Sequence, residues 1–236
     1  MIPLSDQGRR VHRFPVITII LIAINAVVFL YQISLNERSL ENFVLAYGVT
    51  PFEITTGRDV PPAIPWPVWA TFFTSMFMHG GWMHIIGNML YLWVFGDNIE
   101  DALGSVFYPV FYLVSGVAAA GAQIIADTTS RVPSIGASGA VAGVLGAYLL
   151  LYPTHRVNTL IFLGYFIRIV QLPAILVLGF WIVLQVFSGV TSSAEQSNVA
   201  YWAHVGGFAA GMVLVLPMRI LRRGEAGRAG HDNEWG

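Results

Sequence analysis

Apolar positions in this chain come in long blocks and do not alternate with polar ones. The first block, PVITIILIAINAVVFLYQIS (15–34), has no charge over about the 20 residues that a helix needs to cross a bilayer. A mixed segment (35–78) follows, with Asn36, Glu37, Arg38, Glu41, Glu53, Arg58 and Asp59 ahead of the proline-rich PPAIPWP. It reads as a loop with one or two short helices of its own. A second span is predicted over 82–95, continuing as a helix through GDNIEDALG, and a third over 106–126. The fourth begins near Ser138 and stops at Pro153, so it is short. Segment 157–189 is longer than one crossing needs. Arg168 and Pro173 divide it into an interfacial stretch (157–171) and a fifth span (172–188). The sixth covers 201–220, and the Gly- and charge-rich RRGEAGRAGHDNEWG after it is expected to be disordered. The organisation is then an N-terminal tail (1–14), a six-span membrane domain (15–220) and a C-terminal tail (221–236), with no internal repeat.

Composition agrees, with 56% hydrophobic and 11% charged residues, against about a quarter charged in soluble domains. The first block is too long and uncharged for a secretory h-region, and no small-residue cleavage site follows, so it is expected to be retained. Six spans put both termini on one side. Arg9, Arg10, Arg13, Arg156, Arg168, Arg219, Arg222, Arg223 and Arg228 share that side, with Arg38, Arg58 and Arg131 opposite. The positive-inside rule makes both termini cytoplasmic. A net charge of -1 without a basic stripe argues against a nucleic-acid partner. The absence of cysteine excludes disulfides, thiol catalysis and cysteine-ligated metal.

Polar side chains inside spans are expensive and mark candidate chemistry. His84 and Asn88 lie in the second span, Ser138 at the start of the fourth and His204 near the start of the sixth. These spans run the same way, so at about 1.5 Å per residue all four residues fall roughly one to three turns below the outer surface. His84 and Asn88 are four apart and share a helical face. Ser138 lies in SIGASGAVAGVLGAY, where Gly136 and Gly139 permit close backbone approach and a helix N-terminus leaves unpaired amides suited to a developing negative charge. The set offers a nucleophile (Ser138), a candidate base (His204) and oxyanion donors (His84, Asn88 and the Ser138 amide), which is acyl-transfer chemistry.

Taken singly, each feature has a plainer reading. Gly139 with Gly143, and Gly207 with Gly211, are GxxxG pairs that usually serve helix packing, and a lone membrane His or Asn is more often an interhelical bond. Packing does not, however, require Ser, Asn and two His at one depth on three helices. Asn25, Gln123 and Gln185 are read as interhelical bonds, and His12, His155 and His231 fall in loops or tails.

At these residues the sequence resembles the rhomboid family of intramembrane serine proteases. The GxSG motif corresponds to Gly136-Ala137-Ser138-Gly139, and AHxxGxxxG to Ala203, His204, Gly207 and Gly211. The second-helix HxxxxHxxxN pattern corresponds to His79, His84 and Asn88, and GxxxExxxG to Gly96, Glu100 and Gly104. The resemblance implies an all-α membrane protein, a six-transmembrane-helix rhomboid-like bundle, whose Ser138-His204 dyad cuts transmembrane protein substrates in the lipid bilayer. It implies no cofactor and no metal, and gives His79 a loop-organising role. It also sets Trp181 opposite Gly87. The family's Trp-Arg pair is replaced by Trp66-Pro67, and Ala142 stands where some members stack an aromatic residue on the histidine, so His204 must be oriented by something else. No Asp or Glu lies in a span where it could do this. The architecture matches the bacterial six-helix type, which implies the inner (plasma) membrane.

The alternative is a non-catalytic rhomboid-like protein that binds or escorts transmembrane helices, although this chain keeps both the serine and the histidine. A zinc protease would need HExxH, and an aspartyl protease paired carboxylates in the spans; neither is present. A transporter is disfavoured by the lack of buried charges and of interrupted helix pairs.

Overall fold

Apolar blocks of this length become helices because a backbone away from water must satisfy its own N–H and C=O groups. In the computed structural model, residues 1–7, 14–61, 66–163, 166–191 and 199–231 are described, without the side chains of Leu163, Phe166 and those from Arg219 on. Arg9, Arg10, His12 and Arg13 therefore lie outside the described residues, as do the side chains of Arg219, Arg222, Arg223, Arg228 and His231.

The helices are α1 (Val16–Ser34), α2 (Glu37–Tyr47), α3 (Pro51–Thr56), α4 (Thr71–Thr74), α5 (Trp82–Leu103), α6 (Phe107–Ala126), α7 (Ser138–Leu151), α8 (Ala174–Thr191) and α9 (Tyr201–His231). Single 3-10 turns, Val68–Ala70 and Ser75–Phe77, flank α4. Among the described residues, α1, α6, α8 and the Tyr201–Met218 part of α9 are long and apolar enough to cross a membrane. The protein is therefore a mostly helical integral membrane protein. α5 has the length, 22 residues, but carries Asp97, Glu100 and Asp101 near its end, and α7 is apolar but only 14 residues long. α9 continues past 220 to His231, where the sequence suggested a disordered tail.

The all-α expectation needs a correction. Strands β1 (Ile2–Asp6), β2 (Arg156–Leu163) and β3 (Phe166–Pro173) form an antiparallel sheet in the order β1-β2-β3. Pairs include Ile2 with Leu160, Asp6 with Val157 and Ile161 with Arg168. The stretch read as interfacial is thus a hairpin, and the N-terminal tail contains its third strand. β-branched residues in RVNTLIFL and FIRIVQLP suit a pleated surface, and Val157 and Thr159, two apart, share its fully buried face. Asp6 ties the sheet to the helices by accepting from Tyr148 Oη at 2.6 Å and from Asn98 Nδ2 at 3.0 Å.

Small residues set how closely the helices pack. α7 is buried from Gly139 to Tyr148. A side chain at Gly207 would collide with the Gly139 carbonyl, and one at Gly211 with that of Gly143, so α9 lies directly against the α7 backbone. These contacts advance together along both helices, which makes α7 and α9 parallel. Gly139 faces Ala119 and Gly143 faces Ser115, so α6 is antiparallel to both. Gly136 meets His84 and Tyr148 meets Phe95, with ring centroids 4.8 Å apart, so α5 is parallel to α7. α1 runs antiparallel to α5, joined at one end by Phe29 against Trp82 and at the other by Glu100.

The GxxxExxxG stretch has a physical explanation at this second junction. The Glu100 carboxylate accepts from the Ile17 and Thr18 amides (3.0 and 2.8 Å), from Thr18 Oγ1 (2.9 Å) and from Ser105 Oγ (3.1 Å). It satisfies orphan donors at the α1 N-terminus, where the helix dipole also favours negative charge. A β-carbon at Gly96 would press on Tyr108 Oη and Thr18, while Gly104, with φ +80, lets the chain leave α5.

Candidate active site

Three parallel helices begin at one level, and each contributes a polar side chain there. Ser138 opens α7, preceded by a loop that is pinned twice. Val49 and Ser134 exchange backbone bonds, and the Gly136 N–H donates to the Ser75 carbonyl at 2.9 Å. Gly136 has φ +132, a conformation that costs glycine little. A β-carbon there would approach His84 Nε2 to 2.8 Å and Ser138 Oγ to 3.5 Å. The bare Gly136 Cα thus brings the His84 ring edge and the Ser138 hydroxyl to the same spot.

His84 is held from its other edge. The Gly80 N–H donates to His84 Nδ1 at 3.3 Å, so the neutral ring carries its proton on Nε2, which faces Gly136. One turn on, Asn88 is 8% exposed and its Nδ2 has no hydrogen-bond partner. A buried amide donor left unmade costs about 1–3 kcal/mol, which marks the position as one kept for another purpose. The first-turn amides of α7, like those of any helix, have no partner within the helix. Together these donors could stabilise an anion beside Ser138 Oγ.

His79 is 2% exposed and packs edge-on against His84, with centroids 5.0 Å apart. Its amide donates to Gln32 Oε1 of α1 at 2.9 Å, which anchors the turn into α5. Burial, and then the charge of His84, lower its pKa to about 3, so the ring is neutral at ordinary pH.

The α7–α9 contact supplies the remaining group. Gly139, next to Ser138, packs towards the carbonyl of Ala203, next to His204. Ser138 and His204 are therefore chain neighbours of one close backbone contact. The Ala203 N–H donates to Gln123 Oε1 of α6 at 3.3 Å, and His204 Nδ1 is bonded to Gln185 Oε1 of α8 at 2.8 Å. Both glutamines make interhelical bonds as read from sequence, but they do so at His204 and its neighbour. The sequence reading left them without that company. Trp181 packs against the His204 ring in a tilted arrangement, with centroids 5.6 Å apart, and meets α5 at Tyr91, 6.5 Å away. The expected Trp181–Gly87 seam is replaced by this ring pair, and nothing stands within 4 Å of a β-carbon at Gly87. Trp66 packs against Tyr47 of α2. Among the described residues, no three His, Asp or Glu side chains converge as a metal-binding set.

A model of the Rhomboid domain matches residues 66–220. Rhomboid protease GluP of Bacillus subtilis (strain 168) is 26% identical over 215 residues, which is 91% of this chain and 37% of that protein. RHOMBOID-like protein 4 of Arabidopsis thaliana is 30% identical over 179 residues, 75% of this chain and 41% of that one. Rhomboid-like protein 11, chloroplastic, of the same plant is 28% identical over 161 residues, 63% of this chain and 52% of its own length. The chain spans about a third to a half of the length of such relatives. With the domain match covering more than half of its residues, the chain belongs to the rhomboid family.

Proposed function

We propose that this protein is a serine endopeptidase that cleaves transmembrane segments of other proteins within the bilayer, with Ser138 as nucleophile and His204 as general base. The observation that carries this reading is the meeting at Gly136 of the His84 ring and Ser138 Oγ, beside the α7–α9 contact that adjoins His204. A serine, an imidazole with a free nitrogen and unpaired donors at one level are the components of acyl transfer.

In the proposed cycle, Ser138 Oγ attacks the scissile carbonyl carbon while His204 Nε2 takes the hydroxyl proton. The carbonyl π electrons move to oxygen, which accepts bonds from His84 Nε2–H, Asn88 Nδ2–H and the Ser138 amide. As the tetrahedral species collapses, the C–N bond breaks and the amine leaves with the proton from His204. Water then attacks the acyl-enzyme carbonyl, giving its proton to His204, and collapse breaks the ester and returns a proton to Ser138 Oγ. All protons in the cycle are held by Ser138, His204, water or product.

The same reading takes α1, α5, α6, α7, α8 and α9 as six spans with both termini cytoplasmic, in a bacterial plasma membrane. The opposed directions of α1 and α6 against α5, α7 and α9 support the spans, and the arginine distribution supports the orientation. The site then lies near the outer face. A substrate helix must unwind locally before its carbonyl can reach Ser138, so small or helix-destabilising residues near the outer end of the segment are favoured. The test is cleavage of such a substrate by the purified chain in liposomes. It is expected for the parent and absent for Ser138→Ala and His204→Ala. A folded parent that cuts none would support the escort reading instead.

A further inference from the structure

We propose that Gln185 is the positioning residue for His204, fixing the ring tautomer that leaves Nε2 free to act as a base. The inference rests on the catalytic reading above and adds a role that neither the family's motifs nor a dyad supplies. Gln185 Oε1 lies 2.8 Å from His204 Nδ1. An amide oxygen can only accept, so the ring proton is held on Nδ1 and the lone pair stays on Nε2. This is the part an orienting aspartate plays in the soluble serine proteases, done here by a neutral amide.

The support comes from two sides. Trp181 is four residues before Gln185 on α8, so both side chains lie on one helical face, and its ring packs at 5.6 Å from that of His204. The ring is therefore packed against Trp181 and bonded at its Nδ1 edge by Gln185. Both groups come from α8, whose fully buried residues, Ala174, Val177 and Leu178, all lie in its first half. In the second half, Val183, Leu184, Val186, Phe187 and Val190 are exposed. The orientation of the base is thus set by side chains of a neighbouring helix, and a displacement of that helix would carry the acceptor away from His204.

The test is the rate of covalent labelling of Ser138 by a fluorophosphonate in detergent, resolved into reagent affinity and maximal rate, for the parent, Gln185→Met and Gln185→Glu. Methionine keeps the length and removes the acceptor; glutamate keeps an acceptor oxygen in the same place. Gln185→Met should slow the maximal rate about five- to tenfold, the worth of one neutral hydrogen bond, with affinity unchanged. Gln185→Glu should restore the parent rate or exceed it. A folded Gln185→Met that labels at the parent rate would overturn the proposal, as would a Gln185→Glu no faster than Gln185→Met. If Gln185→Met fails to fold, a folded Gln185→Glu slower than the parent overturns it and one at or above the parent rate upholds it. A parent that does not label at all would instead remove the catalytic reading beneath it.

Discussion

Glu100 and Thr18 are joined twice, by the Thr18 amide at 2.8 Å and by its hydroxyl at 2.9 Å, so the start of α1 is fastened to the far end of α5. Replacing Glu100 with Ala would leave these donors, the Ile17 amide and the Ser105 hydroxyl without their acceptor. At about 1 kcal/mol or more for each buried donor, Glu100→Ala should cost at least about 3 kcal/mol and lower the melting temperature in detergent. Glu100→Gln, which keeps one oxygen acceptor, should lose less.

Glycines in this chain are not equivalent, and paired substitutions should show it. At Gly207 a β-carbon collides with the Gly139 carbonyl, which belongs to the backbone and cannot turn aside. Gly207→Ala should destabilise by about 1–3 kcal/mol, the usual cost of overpacking, and should also shift His204 and reduce activity. Gly87→Ala meets open space and should gain up to about 1 kcal/mol from helix propensity. Thermal unfolding of the two variants in one detergent decides the point.

The N-terminal strand should come loose when its latch is removed. Asp6→Ala leaves Tyr148 Oη without an acceptor and removes one of the two acceptors of Asn98 Nδ2, which keeps Asp97 Oδ1. The lost acceptor of Tyr148 alone costs about 1–3 kcal/mol for a buried group. Faster amide exchange over residues 2–6, compared with the parent by mass spectrometry, is the expected result.

Asn88→Ala should fold, because it removes a donor that has no partner in the resting protein. Turnover should nevertheless fall about 10²- to 10³-fold, as for loss of one oxyanion donor elsewhere. Steady-state cleavage beside a matched melting temperature separates the two effects.

The components of this site were legible because polar side chains in apolar spans stand out. His84 and Asn88 declare a shared face by spacing alone, and Gly136 and Gly139 mark the backbone approach beside Ser138. The residues that sequence reading missed depend on long-range pairing. Gln185 was visible as a polar residue in a mostly apolar helix, but its bond is to His204 on another helix, and no local pattern dictates that pairing. Asp6 finds Tyr148 from 142 residues away. The hairpin was missed for a different reason. A short apolar run such as RVNTLIFL does not reveal its period when residues on both faces are apolar, and Arg168 made the neighbouring stretch look interfacial. Trp181 was correctly read as facing α5, but the side chain opposite is Tyr91, because the helix offset depends on packing.

The central claim is that Ser138 is an activated nucleophile, and covalent labelling tests it most directly. An unassisted serine hydroxyl reacts poorly, so labelling reports a base that takes its proton. The purified parent, treated with a fluorophosphonate and digested for mass spectrometry, should carry the adduct on Ser138. The adduct should be absent from Ser138→Ala, fall steeply in His204→Ala and be unchanged by chelators. A folded parent that takes no label at Ser138, or a His204→Ala variant labelled as fast as the parent, would contradict the account.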